Sequence, residues 1–412
     1  MTAAQYHAVD CQGFAGGFTL GMVQAGFKLV GKKEMKGGFG VANCEANRVL
    51  LGDDWESEVS KGEGEDWTPI PAHVVFGNPP CSGFSLLSRQ DFRGADSPVN
   101  SCMWAFEWFV ARTMPYIAVF ESVGQAFSEK GGGQDLMRAL REKLEVDTGV
   151  QWSLHHVLHN NASLGGAAIR KRYFWVVSRI PFGIDPVEIH RVPTLLDVIG
   201  DLQGLESTWE RQPYRRPPSW WARPRRSHTG TVDGVQWRRT PAIGRALDLL
   251  EPEGMEWGQK EIVSKVAKRY FERHGCLPAS WGQHMEEKLV AKDWMMGFNQ
   301  LIRWRGDKMA RVITGGGLDL VMHPLEDRTL THREVARIQG FPDEWRILPL
   351  RDASGLRLTW GKGIPVDAGR WIGTWIHRAL EGNPSDYPGE PMGDREWVYD
   401  CSKAFHAVTD ER

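Results

Sequence analysis

Short apolar runs, each closed by glycine, proline or polar residues, recur through the first 180 positions. Val74-Val75-Phe76 and Ile117-Ala118-Val119-Phe120 read as buried strands, as do residues 152–157 and 173–177. Each is too short for a helix and is rich in β-branched or aromatic side chains. Between them, apolar positions at helical spacing predict helices over 103–112 and 135–144. At the N-terminus a strand runs through Asp10 into a glycine-rich turn carrying Gly16 and Gly17, then into a helix ending near Gly26. A second strand, residues 28–34, closes on Glu34. This alternation of strand and helix predicts an α/β fold built on a doubly wound, mostly parallel sheet. After Ile180 the rhythm stops. Residues 181–310 are rich in Pro, Arg and Trp, with helical patches at 260–274 and 285–298, and the α/β pattern resumes near Arg311. The expected organisation is one domain over 1–180, an inserted domain over 181–310, a return over 311–382, and a partly ordered tail over 383–412. Trp397, Tyr399 and Phe405 are the side chains that could dock that tail.

Candidate chemistry centres on Gly77-Asn78-Pro79-Pro80-Cys81-Ser82-Gly83-Phe84-Ser85. A buried strand leads into two prolines, which stiffen the backbone and present Cys81 at the strand's carboxyl end. Open α/β sheets place ligands at that edge. A lone loop cysteine is usually a small apolar residue, but four further segments surround this one. The glycine turn followed by Glu34 has the form of a βαβ nucleotide-binding unit. The strand ending Phe120-Glu121-Ser122-Val123 delivers a carboxylate, which by itself reads equally as a helix cap or rim residue. Arg170 and Arg172 precede the 173–177 strand at alternate positions, on one side of the chain; the plainer reading of such a pair is a phosphate contact. The last is Thr331-His332-Arg333-Glu334-Val335-Ala336-Arg337-Ile338-Gln339-Gly340-Phe341-Pro342, followed by Gly361-Lys362-Gly363-Ile364-Pro365.

In that order the five segments resemble the cytosine-C5 DNA methyltransferase family, over about residues 5–180 and 310–380. The resemblance implies a class I methyltransferase fold, Rossmann-like, with residues 181–310 as a target-recognition domain and the last helix, 367–380, lying against the first strand. It implies S-adenosylmethionine as cofactor, with Asp10, Gly16, Gly17, Glu34, Asn78, Lys362, Gly363 and Ile364 as contacts and Asp54 or Asp66 as alternatives for the adenine amine. Cys81 is then the nucleophile that adds to C6 of an everted cytosine. Glu121 serves N3 and the exocyclic amine, Arg172 holds the O2 side, and Arg170 supports the site. Glu334 and Arg337 are read as structural, paired one helical turn apart.

Several positions depart from the family pattern. Gln12 stands for Phe, Phe14 for Gly, Ser82 for Gln, Ser122 for Asn and Ala168 for Gln. Lys362 stands where the family has Asn. An ammonium about 5 Å from a sulfonium is repelled by about 3 kcal/mol at an effective dielectric near 20. A carboxylate on the transferred carbon reverses the sign. Lys362 therefore opens an alternative to methyl transfer, carboxymethyl transfer from carboxy-S-adenosylmethionine, against the plainer reading of a lysine reaching solvent, a DNA phosphate or Glu121.

Bulk charge is silent about nucleic acid: 50 basic and 52 acidic residues leave a net charge of −2 in 412 residues. A basic footprint has to be local. The insert supplies one, Arg215, Arg216, Arg223, Arg225 and Arg226 interleaved with Tyr214, Trp220 and Trp221, which suits phosphate contact plus stacking. Ser85 in the cysteine loop is a further expected DNA contact. The six cysteines have no metal spacing, and free thiols in a bacterial or phage-infected cytoplasm are the expectation, with no metal and no membrane partner. The expected partner is double-stranded DNA and the expected state a monomer. Competing classes are an RNA cytosine methyltransferase, a DNA binder without turnover, and a nicotinamide enzyme. The last lacks GxGxxG spacing and leaves the Pro-Pro-Cys loop without a role.

Overall fold

A computed structural model describes residues 5–36, 40–62, 64, 66–85, 93–129, 132–185, 192–202, 302–313, 321–325, 330–346, 348, 361 and 363–402. It divides into two compact units: Met1–Val192 with Gln339–Phe341 and Lys362–Arg412, and Pro193–Ile338 with Pro342–Gly361.

The first unit contains β1 (His7–Cys11), α1 (Gly17–Gln24), β2 (Lys28–Glu34), α2 (Gly40–Glu45), α3 (Arg48–Leu51), β3 (Glu56–Val59), β4 (Val74–Gly77), α4 (Ser101–Thr113), β5 (Ile117–Val123), α5 (Gly133–Thr148), β6 (Ser153–Asn160) and β7 (Lys171–Ser178). In the second unit lie α6 (Leu195–Ile199), β8 (Ile302–Arg303), β9 (Val321–Met322) and α7 (His332–Ile338). The first unit resumes with α8 (Val366–Leu380), β10 (Glu390–Gly393) and β11 (Glu396–Asp400).

Nine described strands form one sheet in the order β10-β11-β6-β7-β5-β4-β1-β2-β3. The pairs β1–β2, β1–β4, β2–β3, β4–β5 and β6–β11 are parallel, whereas β7 runs antiparallel to both β5 and β6. The expected doubly wound, mostly parallel sheet is therefore observed. Strand β4, inside the sheet, is buried along its whole length, as a strand covered on both faces must be. Successive strand side chains face opposite ways, and both faces are filled with aromatics. On one, the Phe18 ring of α1 meets Phe76 at 4.9 Å and Phe174 at 5.8 Å. On the other, Phe106 of α4 meets Phe120 at 5.4 Å, while Trp175 Nε1 donates to the Met137 carbonyl of α5 at 3.0 Å.

Three expectations change. First, β5 continues through Glu121 to Val123, because β7 pairs with it as far as Val123–Arg172. Second, the last helix packs against α1 rather than the first strand. A Cβ on Gly21 would lie 2.6 Å from the Val366 carbonyl oxygen, so a side chain there would break the helix contact. Third, part of the segment read as a tail is sheet: β11 pairs in parallel with β6, and Tyr399 is buried. Phe405 lies outside the described residues.

Within the second unit, α7 carries Glu334 and Arg337, but the two do not pair. Arg337 Nη2 binds Asp343 at 2.6 Å and Nη1 binds Asp201, while Glu334 accepts from the Thr331 backbone N–H at 2.7 Å. The Thr331 bond pulls Glu334 back over the helix start, and two nearer carboxylates take the guanidinium. The expected helices at 260–274 and 285–298 lie outside the described residues.

Candidate active site

The site is assembled at the carboxyl ends of β4 and β5, with β7 bringing its first residues alongside. Cys81 follows Pro79-Pro80 and opens a single 3-10 turn, Ser82–Phe84, closed by the Phe84 N–H on the Cys81 carbonyl at 3.0 Å. Its thiol is half-buried and free. Burial raises its pKa and Glu121 adds to that; Arg172, the Val123 N–H and the Ser122 hydroxyl act the other way. A cysteine that reacts as thiolate needs those three groups.

Glu121 is 1% exposed. Asn78 Nδ2 donates to Glu121 Oε2 at 2.7 Å, and Arg172 Nε lies 3.2 Å from Oε1. Burial lifts the carboxyl pKa, opposed by Arg172, Arg170 and the Asn78 bond. Arg170 is buried just ahead of β7. Burial and then the neighbouring Arg172 bring its pKa down to about 9, while Glu121 and Cys81 work in the opposite sense. Its backbone is clamped, N–H to Asn160 Oδ1 at 2.9 Å and carbonyl to the Asn161 N–H at 3.0 Å. Cys81, Glu121, Arg170 and Arg172 are thus brought together electrostatically. Asn78, expected at the cofactor, has its amide on Glu121, since it leaves β4 beside β5.

The second centre is the turn after β1. Gly16 sits at φ +91, which suits glycine, but Gln12 at φ +69 and Phe14 at φ +50 hold the left-handed region with side chains. Such strain persists where surrounding structure over-determines it, often at ligand sites. A Cβ on Gly17 would lie 2.0 Å from the Ile364 carbonyl oxygen. Gly17 is therefore required by the chain's own 363–365 segment. Asp10 is fully buried, its Oδ2 accepting from Thr19 Oγ1 at 2.5 Å and Lys32 Nζ at 2.7 Å. Glu34 Oε1 accepts from the Met35 N–H at 3.1 Å, and Oε2 is 3.8 Å from Lys32 Nζ. Burial, partly offset by Lys32, pushes Glu34 up to about 7. For Lys32, burial opposes the charge but Asp10, Cys44 and Glu34 prevail and its pKa is raised.

Asp10 Oδ1, Gln12 Oε1 and Glu34 Oε2 are buried acceptors without hydrogen-bond partners. Three such acceptors around one turn fit a ligand that carries ammonium and hydroxyl donors, as S-adenosylmethionine does. Of the adenine alternatives, Asp54 pairs with Lys28 at 3.0 Å on the surface, and Asp66 accepts from Ser60 Oγ at 2.5 Å. Ser85 lies at the end of the cysteine loop, its N–H on the Ser82 carbonyl at 3.2 Å. Lys362, Arg215, Arg216, Arg223, Arg225 and Arg226 lie outside the described residues.

Sequence reasoning passed over Lys32 and His159. The first shares a face with Glu34 at strand spacing, a signal that period-two reading contains. The second stands opposite Arg172 on β6, stacked on Phe174 at 4.4 Å. Burial first, then Arg172 and Arg170, lower its pKa to about 3, so it is a neutral neighbour of the arginines. Among the described residues no His, Cys, Asp and Glu group could hold a metal ion, and no helix is long and apolar enough to cross a membrane.

Comparison with known proteins agrees with this geometry. Type II methyltransferase M.PspPI of Psychrobacter sp. is 24% identical over 398 residues, covering 92% of this chain and 81% of that protein. M1.HphI of Haemophilus parahaemolyticus is 25% identical over 366 residues, covering 87% and 82%. DNA (cytosine-5)-methyltransferase 1A of rice is 23% identical over 68% of this chain, which spans only 20% of that longer protein. A family model described as C-5 cytosine-specific DNA methylase matches residues 7–378. With the cysteine loop, the buried glutamate and the arginine-led strand in place along that match, the chain belongs to the C-5 cytosine-specific DNA methylase family.

Proposed function

We propose that this protein transfers a methyl group from S-adenosylmethionine to C5 of cytosine in double-stranded DNA, through a covalent adduct on Cys81. The observation that carries this reading is the convergence of Cys81, Glu121 and Arg172 at the carboxyl edge of β4 and β5. Cytosine C5 is a weak nucleophile. Addition of the Cys81 thiolate to C6 pushes the ring electrons toward N3 and O2 and makes C5 an enamine carbon. Glu121, whose proton is held more firmly by burial, donates to N3 as that charge develops. Arg172 steadies both the Glu121 carboxyl and the O2 side, and Arg170 keeps the pocket positive. The cofactor, when bound, supplies the electrophilic carbon, and Asp10, Gln12 and Glu34 are the groups that would receive its donors. Loss of the C5 proton to water then lets the Cys81–C6 bond break, returning the thiolate. C6 is inaccessible in a stacked duplex, so the cytosine is everted into the site.

Bacterial type II relatives support DNA as substrate and a restriction-modification setting, and the domain expected over residues 181–310 would read the target sequence. Digesting DNA from cells that express the protein and weighing the nucleosides tests the reading. 5-Methylcytosine should appear, and Cys81→Ser should abolish it while duplex affinity survives; full activity in that variant would end the proposal. Trapping on DNA containing 5-fluorocytosine separates a catalyst from a non-catalytic binder, and competition with transfer RNA separates the RNA alternative.

Carboxymethyl transfer is the second reading, carried by Lys362 in the sequence. It predicts 5-carboxymethylcytosine when both S-adenosylmethionine and its carboxylated form are supplied. Methylcytosine as the sole product would exclude it.

A further inference from the structure

We propose that Lys32 is a positioning residue for the cofactor: its buried ammonium ties the Asp10 and Glu34 carboxylates together and holds Glu34 as the acceptor for the vicinal hydroxyls of a ribose. The proposal rests on the reading that S-adenosylmethionine binds at the turn after β1. Lys32 and Glu34 lie two residues apart on β2 and so share a face. Lys33, between them, faces the other way and pairs with Glu58 at 2.5 Å. The Lys32 side chain is fully buried. Its Nζ donates to Asp10 Oδ2 at 2.7 Å and stands 3.8 Å from Glu34 Oε2. A lysine is almost never taken wholly out of water unless its charge is answered, and here two carboxylates answer one ammonium.

The two carboxylates are not held alike. Asp10 Oδ2 takes Lys32 and the Thr19 hydroxyl together, which commits that oxygen to the protein. Glu34 Oε1 takes the Met35 N–H, whereas the buried Oε2 makes no hydrogen bond. At 3.8 Å the ammonium supports the charge on Oε2 without occupying its lone pairs, so that oxygen is left to accept from a ligand. An acid ending the second strand of a βαβ nucleotide-binding unit accepts from ribose hydroxyls in this way. Helix α2 closes over the pair: a Cβ on Gly40 would lie 2.5 Å from Glu34 Oε2 and 3.1 Å from Lys32 Cε. The titratable neighbours of Glu34 are Lys32 on its own strand, Asp10 and Cys11 of β1 and Cys44 of α2. Burial raises both thiols, Cys44 to about 12, so neither carries charge at neutral pH. Lys32 is the single cation of that set. Without it, burial and Asp10 both favour a protonated Glu34, which is a poorer acceptor.

The test compares ligands that differ only in the ribose. Calorimetry measures binding of S-adenosylhomocysteine and of its 2′,3′-dideoxy analogue from about pH 6 to about pH 9. The proteins are wild type, Lys32→Met, and the double variant Lys32→Met/Asp10→Asn, which removes one charge of each sign. Wild type should prefer the ribose form, and the preference should grow as pH rises through about 7, where Glu34 ionises. In Lys32→Met the preference should fall about tenfold at neutral pH and return about one unit or more higher in pH, as expected on losing an opposite charge beside a carboxylate. Affinity for the dideoxy analogue should not change. Equal losses for both ligands overturn the proposal, because a lysine that only braces the turn weakens both. So does a ribose preference that Lys32→Met leaves intact at neutral pH. If Lys32→Met does not fold, the double variant carries the same comparison, and its keeping the preference, or failing to fold as well, overturns the proposal. Wild type that binds both ligands equally ends the inference about Lys32 and leaves the proposed function standing. Wild type that binds neither ends the cofactor reading and the inference together.

Discussion

Two buried glutamates on neighbouring elements show how partners decide what a carboxyl does. Glu121 has Asn78 and Arg172 within bonding distance, so its charge is supported on two sides while burial raises its pKa, which suits the proton-donating role proposed for it. Replacing it by Gln keeps the shape and removes the proton equilibrium; turnover should fall by about 10²–10⁴-fold with duplex affinity little changed, which single-turnover assays and filter binding would check. Glu107 of α4 is as deeply buried, with both oxygens lacking a hydrogen bond and a pKa pushed by burial up to about 7. A carboxyl raised in the folded state is most stabilising below its unfolded pKa, near 4.5, and that stability is lost as pH rises through about 7. Glu107→Gln should therefore unfold at higher temperature than wild type at pH 8 and differ little at pH 5. Equal melting curves at pH 8 would mean the carboxylate finds solvent.

At the scale of elements, β11 is the part least suggested by local pattern. It extends the sheet because Glu396 reaches His156 Nε2 at 2.7 Å and Arg138 Nε at 3.1 Å, while His156 Nδ1 lies 2.7 Å from the Tyr173 hydroxyl, placed to accept from it. The His156 bond and Arg138 hold the Glu396 carboxyl down at about 2 despite burial. Its folded pKa is depressed, so this contribution is present above the usual glutamate range and is lost as pH falls from near 4.5 toward 2. Glu396→Gln should cost about 1–3 kcal/mol at pH 7 by urea titration, and the gap from wild type should close as the solution is acidified. A gap that stays undiminished down to pH 2 would locate the loss in packing instead. The helix pair α1 and α8 illustrates the converse case. Its glycines are visible in the sequence, but their purpose is steric: Gly17 and Gly21 give room to the backbone at Ile364 and Val366.

For the whole molecule, a net charge of −2 demands that any hold on DNA come from a local surface. Arg225 and Arg226 stand in the richest basic and aromatic stretch of the chain. Changing both to Ala should weaken binding at all sequences and flatten the plot of log affinity against log salt by about two units. An unaltered slope would remove those residues from the phosphate contacts. The division of labour expected for the chain, chemistry in one part and target reading in the insert, rests on that measurement.

Much of this protein is written locally. Buried β4, the helices 101–113 and 133–148, the Pro-Pro-Cys loop and the arginines before β7 follow from periodicity and from residues whose backbone preferences are strong. Those are short-range effects, and a single sequence contains them. Partnership across the sheet is different in kind. That Asn78 serves Glu121, that Lys32 lies between Asp10 and Glu34, that Arg172 reaches Glu121, and that β11 docks through Glu396 all depend on separate strands being brought within a few ångströms. Charge and hydrogen-bond energies act over those distances, and only folding sets them.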